Sequence, residues 1–485
     1  MSLDKNKIYL LYPPISKLER YSSKIGSAGG EQIPLGIYYL ASFLLQNNFE
    51  VKVTDAEALK LSTEQILLEI KAYGPKYVGI SSTTVAFHRA VEVADAIKSE
   101  HPEIIIILGG PHITSNYEHA MSFNAFDYGV FSEGETTIIE LLNALNNSLS
   151  VNNIKGIVIR NNNGALTKTI QREYISDLDK LPFPAYHLIE DISLYAPPPS
   201  NYKTLPVVNM ITSRGCPNQC TFCDNNIFGR IYRKRSAENI LEEIKYLRKQ
   251  YDVREIAFVD DTFLIDKNRI YKLFELLDAE NISFYWTCMS RINNTDYEFL
   301  KFIKSKGCWH ISFGIESGDA DILKVIKKNI SLEKAKEVIA FCKKLKIKTK
   351  GFFIIGHPTE TIETINKTIK FACKLQLDDI VATINTPIPG SQQYDQAEQY
   401  GTVDKTNWAE FNYWRPVFVP FGLTKEILLE KHREIYRKFY LRPRILVRYF
   451  LSFFGKGGWK RFITIFKASF FMLTKTKKQK VFKAK

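Results

Sequence analysis

Cysteine, histidine, methionine and tryptophan are all scarce in this chain of 485 residues, with 7 Cys, 8 His, 5 Met and 5 Trp. So few cysteines over such a length exclude the dense disulfide framework of a small secreted domain. No run approaches the roughly 18 uninterrupted apolar residues of a membrane-spanning helix. The opening MSLDKNKIYLLYPP also lacks the apolar run of a signal peptide, so a reducing cytoplasm is the expected compartment. What remains, 45% hydrophobic and 13% aromatic, is enough for two ordinary domains and a tail.

Acid is what the carboxyl end lacks. Of 66 Lys and Arg, 16 fall between Arg433 and Lys485, beside one of the 52 acidic residues, Glu434, so this segment carries the whole net charge of +14. It is also aromatic: Trp459, Phe462, Ile463, Phe466, Phe470 and Leu473 share one helical stripe, with Lys460, Arg461, Thr464 and Lys467 off it. A helix lying on an anionic membrane surface fits that pattern, which would place the protein peripherally on the inner face of the membrane. The competing reading is a helix pair docked on the protein with solvated lysines. Nucleic acid is not an expected partner, because no recognised binding module accompanies the basic tail.

Three of the seven cysteines, Cys216, Cys220 and Cys223, stand within eight residues in RGCPNQCTFC. No fourth cysteine or histidine follows within the next dozen residues. Structural zinc is normally closed by four protein ligands, whereas an iron–sulfur cluster held by three thiolates keeps one iron open. Cys288, Cys308, Cys342 and Cys373 lie in apolar stretches and read as small core residues. His310, two residues after Cys308, is the one candidate that would complete a zinc site and make the protein a non-catalytic metal- or cobalamin-binding protein.

C-x3-C-x2-C with Phe222 before the last cysteine resembles the signature of the radical S-adenosylmethionine enzymes. The context agrees, since Leu205 to Thr212 reads as a buried strand and Ser236 to Gln250 as an amphipathic helix with Ser236 as N-cap. The resemblance implies a [4Fe-4S] cluster on the three cysteines, with S-adenosylmethionine on its open iron, cleaved to a 5′-deoxyadenosyl radical. A redox protein such as flavodoxin or ferredoxin would supply the electron.

Upstream, short apolar runs alternate with helical patterns at Leu35 to Gln46, Thr63 to Ala72, His88 to Ser99 and Thr136 to Asn146, which implies a doubly wound parallel sheet over residues 1–150. Ligands of such sheets sit beyond the strand carboxyl ends. There stand Ser81, Ser82 and Thr83, then Gly109, Gly110 and His112, then Glu133, Gly134 and Glu135. This Rossmann-like domain, followed by a linker over 151–203 and the cysteine loop, resembles the cobalamin-binding branch of the same enzymes. Those nine residues are then the expected cobalamin contacts, with His112 preferred over His88. The D-x-H-x-x-G motif that supplies a lower histidine to cobalt is absent from YPPISKLERYSSKIGSAGG, so cobalamin is expected base-off.

From 204 to 425, strand and helix patterns alternate six times, as in a partial (β/α)6 barrel of the TIM type whose site lies at the strand carboxyl ends; residues 426–485 follow as a basic helical region. Asp260 and Asp261, Arg291 and Glu316 end successive strands. By resemblance, Glu316 matches the residue that binds the ribose hydroxyls, and Arg291 is placed for the methionyl carboxylate. Either aspartate could meet the methionyl amine or the substrate. GFFIIGHPTE, with Ile355 and Gly356, resembles the motif packed on adenine, which Phe222 would border. Arg233 and Arg235 are candidate contacts for anionic groups of cofactor or substrate. Thr386 to Gly390, TPIPG, is similar to a segment of the family. Expected chemistry is methyl transfer to an unactivated carbon of a hydrophobic or lipid-linked small molecule, or oxidative ring formation, since FYLRPR is similar to the anaerobic magnesium-protoporphyrin monomethyl ester cyclases.

Overall fold

The structure is a computed structural model that describes residues 4–21, 30–161, 163–198 and 201–447, so the aromatic stripe from Trp459 to Leu473 lies outside it. The first unit is built on β1 (Asp4–Tyr12), β2 (Glu50–Asp55), β3 (Pro75–Ser81), β4 (Ile105–Gly109) and β5 (Tyr128–Val130), parallel in the order β2-β1-β3-β4-β5. Its strands are buried on both faces: Tyr9, Leu11, Val78 and Leu108 on one side, Ile8, Leu10, Tyr77 and Ile107 on the other. That explains why they read as unbroken apolar runs. Helices Leu35–Gln46, Thr63–Tyr73, Phe87–Glu100 and Glu135–Asn146 cover the faces. The second of these starts at a capping box between Ser62 and Gln65 and stops at left-handed Gly74. The sheet does not stop at residue 150. Antiparallel β6 (Ile157–Arg160) and β7 (Leu166–Lys168) extend it into the span expected as linker.

The second unit opens with β8 (Val207–Met210) and a short antiparallel pair, β9 (Ser213–Arg214) and β10 (Arg233–Lys234), which brackets the cysteine loop. Strands β11 (Glu255–Phe258), β12 (Tyr285–Ser290), β13 (Cys308–Glu316), β14 (Lys348–Ile355) and β15 (Asp379–Ile384) continue from β8 as a parallel sheet in sequence order, with β8 and β15 as its two edges. This is the open six-stranded barrel expected from the alternation. Alternate residues point to opposite faces of a strand. Ile256, Phe258, Trp286, Cys288, Ile311, Phe313, Phe353 and Ile380 join the outer core against the helices. The hollow is left to Ala257, Thr287, Met289, Ser312, Phe352 and Val381, with Met289 37% exposed.

A helix at Lys425–Tyr440 closes over edge strand β15, where Tyr436 Oη both accepts from Ala382 N and donates to Ala382 O, each at 3.0 Å. The two units share one core: the cluster that fills the barrel shell runs on into Ile33, Leu35, Ile37 and Tyr39 of the first unit. Asn209 of β8 seals the contact, its amide exchanging hydrogen bonds with the backbone of Ile33 at 3.0 and 2.9 Å.

Candidate functional site

The cysteine loop leaves β9 and returns at β10. Cys216, Cys220 and Cys223 are all free, Cys220 is buried and Cys223 exposed. Two of the sulfurs take N–H donors: Asn218 Nδ2 lies 3.2 Å from Cys216 Sγ and Arg291 Nη1 lies 3.2 Å from Cys220 Sγ. A guanidinium on a sulfur favours the thiolate, and hydrogen bonds to sulfur are a means by which a protein sets a cluster's potential. The donor set therefore fits an iron–sulfur cluster. It does not extend to His310. A register shift in β13 turns Cys308 outward among Cys288 and Cys342, while His310 faces Lys350 and Asp379. Among the described residues no group of three His, Cys, Asp or Glu is gathered at metal-holding distances.

The strand ends beside this loop divide into fasteners and open groups. Asp260 is buried, and its Oδ1 accepts from Thr212 N, Thr212 Oγ1 and Ser213 Oγ, so it holds the start of β9 in place. Asp261 is exposed, and burial of the region together with Asp260 raises its pKa. Arg291 gives its second Nη to the carbonyl of Lys328, which commits it to the cysteine loop. Glu316, in a left-handed conformation (φ 67°), accepts from Lys328 Nζ at 2.7 Å, and both are buried. Lys328 Nζ also stands 5.9 Å from the Phe222 ring centroid.

Lys328 is the residue the sequence reading missed. The segment holding it lies against the loop, since Thr221 N donates to Ile326 O and Cys220 Sγ stands 3.8 Å from Lys327 O. At the end of β14, Ile355 is buried and Gly356 is left-handed (φ 85°). Its N–H and that of His357 reach Glu360 Oε2. Burial pushes the Glu360 carboxyl up to about 8 and the His357 imidazole down to about 3. His357 lies 5.7 Å from Phe222, with its Nε2 buried and unpartnered.

Between the two units lies a cavity of about 680 Å³. Tyr12, Asp55, Ser81, Gly109 and Val130 from the carboxyl ends of β1 to β5 line it on one side, and Asn209, Ile211 and Val259 of the barrel on the other. This is the crevice position of a doubly wound sheet. A Cβ on Gly36 would meet nothing within 4 Å, and one on Gly109 only the Val130 carbonyl at 3.9 Å. Both backbones therefore open onto the cavity and would lie flat against a broad ring system, so the walls fit a corrinoid. Ser81, Thr83, Gly110, Glu133, Gly134 and Glu135 also line it.

Other residues expected at the cavity point elsewhere. Ser82 is buried, bonded through its backbone to Gly109 and His112. His112 lies outside the lining, its Nδ1 3.2 Å from Thr84 Oγ1, its Nε2 3.0 Å from His119 Nδ1 and its ring packed on Phe87 at 4.1 Å. His88 contacts Glu19. Arg233 and Arg235, expected to meet anions, are spent on the protein. Arg233 donates to Glu133 at 2.9 Å and to the carbonyls of Ile175 and Phe228, and Arg235 to Glu243, Asn239 and Ile211. For Arg233 the sequence could not show this, because Glu133 lies 100 residues away; the partners of Arg235, Glu243 and Asn239, stand eight and four residues on.

Family models match two stretches of the chain: B12 binding domain over residues 23–142 and Radical SAM superfamily over residues 210–372. An uncharacterised methyltransferase of Pyrococcus horikoshii is 34% identical over 447 residues, which is 91% of this chain and 94% of the relative. The anaerobic magnesium-protoporphyrin IX monomethyl ester cyclase of Rubrivivax gelatinosus is 27% identical over 88% of this chain and 77% of its own length. A radical S-adenosylmethionine methyltransferase from Kitasatospora setae, solved with cobalamin and a [4Fe-4S] cluster, superposes with a TM-score of 0.67 at 17% identity, covering 90% of this chain and 89% of that one. That last likeness is one of fold.

Proposed function

Because this chain belongs to the cobalamin-binding radical S-adenosylmethionine enzymes, we propose that it methylates an unactivated carbon of a hydrophobic or lipid-linked substrate. The observation that carries this reading is the cavity between the units, which brings the carboxyl ends of a cobalamin-type sheet to the mouth of the barrel beside the cysteine loop. When bound, the cluster supplies the electron that splits S-adenosylmethionine and cobalamin supplies the methyl group.

The chain's own part is to hold and orient. Cys216, Cys220 and Cys223 would ligate, and Arg291 donates to the Cys220 sulfur. With Arg291 committed to the loop, the Lys328 ammonium is the cation for the methionyl carboxylate, and Glu316 divides its oxygens between Lys328 and the ribose hydroxyls. Asp261, exposed where Asp260 is locked, takes the methionyl amine or the substrate. Phe222, Ile355 and Gly356 flank adenine. Gly109, Gly110 and Gly134 bear the corrin, with Ser81 and Thr83 at its edge. No histidine occurs between Tyr12 and Leu35, and His112 is turned away, so neither place would offer bound cobalamin a histidine.

The hydrophobic substrate rests on the small and apolar lining of the hollow and on the basic, aromatic composition of the tail. Among the described residues no helix is long and apolar enough to cross a membrane. A second reading, oxidative ring formation, is favoured by the cyclase relative.

One anaerobic incubation separates the two readings. Reconstituted protein, a low-potential reductant, cobalamin, methyl-labelled S-adenosylmethionine and a cell lipid extract should place label in a lipid-soluble product. Deoxyadenosine with an oxidised, unlabelled product favours the cyclase, and bound zinc without iron sinks both. For the tail, liposomes with anionic headgroups should float the whole chain and not a chain ending at Arg444; equal flotation of both overturns the membrane reading.

A further inference from the structure

The loop between β5 and the helix at Glu135–Asn146 touches two things at once. Ser132, Glu133, Gly134 and Glu135 line the cavity. Three of them, Ser132, Glu133 and Glu135, also grip the strands and loop that carry the cysteines. Glu133 Oε1 and Glu135 Oε1 accept from the two Nη atoms of Arg214 at 2.8 and 2.5 Å, and Arg233 Nη1 reaches both oxygens of Glu133 at 2.9 Å. Ser132 Oγ donates to Ile227 O at 3.0 Å, and Ser115 of the first unit to Asp224. All four charged side chains are buried, at 4–7% exposure.

Two arginines and two glutamates make the cluster neutral, which is the condition for keeping four charges out of water. Arg214 lies two residues before Cys216 and opposite Arg233 in the β9–β10 register. The β9–β10 pair is thus fastened twice, by Asp260 from the barrel and by the two glutamates from the cavity rim. A ligand that moves the rim must move Glu133 and Glu135, and with them the entry to the cysteine loop.

We propose that Arg214 is a positioning residue that couples cobalamin occupancy to the cysteine loop: filling the cavity tightens the hold on the cluster, and loading the cluster tightens the hold on cobalamin. The idea rests on the cofactor assignment above and adds a linkage between the two cofactors. Linkage is reciprocal, so each must change the other's affinity by the same factor.

The test needs no substrate. In the cluster-loaded full chain, iron release to a colorimetric chelator is timed with and without saturating hydroxocobalamin. Cobalamin affinity is measured by absorbance before and after cluster removal. In the natural chain, cobalamin should slow iron release and cluster removal should weaken cobalamin binding, the latter about fivefold or more, at the lower end of typical couplings; the release rate reports the direction of the effect and the affinity its size.

Arg214→Met alone strands Glu135 in the interior and risks the fold, so the decisive variant is the charge-balanced pair E135Q with R214M. Whatever its absolute affinities, the ratio of its cobalamin affinities with and without the cluster should fall to about one, and cobalamin should no longer slow its iron release. Arg214→Lys, whose single ammonium cannot span two carboxylates as a guanidinium does, should give an intermediate value. Simple shielding of the cluster by cobalamin would persist in the paired variant, and persistence overturns the proposal. So does a natural chain that binds both cofactors without mutual effect. A natural chain that holds no iron or no cobalamin overturns the cofactor assignment itself, and this linkage with it.

Discussion

Lys328 shows what a single side chain contributes and why its sequence does not announce it. Its ammonium lies beside Glu316 because Lys327 and Asn329, on either side, take left-handed conformations with φ of 51° and 52°. No motif marks that turn, whereas Glu316 is legible as the polar end of an apolar strand. Lys328→Met should lower affinity for S-adenosylmethionine at least tenfold while leaving iron content intact, measured by equilibrium dialysis with labelled ligand and by iron assay; unaltered affinity would remove Lys328 from the site. The three cysteines stand out by spacing alone, and they lie on one loop between β9 and β10. Arg233 reads as an anion contact because a charge near a strand end does not reveal Glu133, 100 residues away on the cavity rim, whereas Arg235 turns to Glu243 in the helix that follows it. Glu360 offers a test of burial. Its carboxyl titrates near 8 in the fold and at the ordinary 4.5 when unfolded, so its stabilising effect is full below 4.5 and lost as pH rises through 8. Glu360→Gln can still accept from Gly356 and His357, and its melting temperature should gain on the natural chain's between pH 6 and pH 8.5.

Among the elements, the helix Lys425–Tyr440 has the plainest energetic role. Thr424 caps its start by accepting from Ile427 N, and its buried face presents Leu428, His432, Ile435, Tyr436 and Phe439 to the barrel edge. An edge strand with unpaired backbone is a liability, and this helix covers the one at β15. Phe439→Ala removes a fully buried ring and should cost about 3–5 kcal/mol. A lower urea midpoint for barrel unfolding would register it, and an unchanged midpoint would mean that the edge is sealed by other contacts. Periodicity made most element boundaries readable to within a few residues, because parallel strands buried on both faces and capped amphipathic helices leave strong patterns. β7 escaped, since Leu166–Lys168 is a three-residue edge strand with little apolar content.

For the molecule as a whole, four buried histidines set the acid limit. His112, His310 and His357 are held down to about 3 and His432 to about 4, each chiefly by burial. Each is neutral in the fold and protonates near 6.5 when unfolded. Its contribution is present above 6.5 and falls by about 1.4 kcal/mol per pH unit as pH drops toward its folded value. Asp55, raised to about 6 by burial, and Glu360 run the other way and offset part of the slope. His432→Gln should therefore narrow its stability deficit against the natural chain between pH 7 and pH 4.5, read from thermal melts; a constant deficit would show that His432 does not enter the acid response. The pleat of the barrel strands has a consequence of another kind. Outward side chains such as Trp286, Phe313 and Phe353 are locked into a shell where any change of volume is felt. Inward ones, Ala257, Thr287, Ser312, Phe352 and Val381, touch the hollow instead. Divergence can rewrite that inner set a few letters at a time without disturbing the shell or the cysteine loop, so one scaffold can exchange its clientele while keeping its engine.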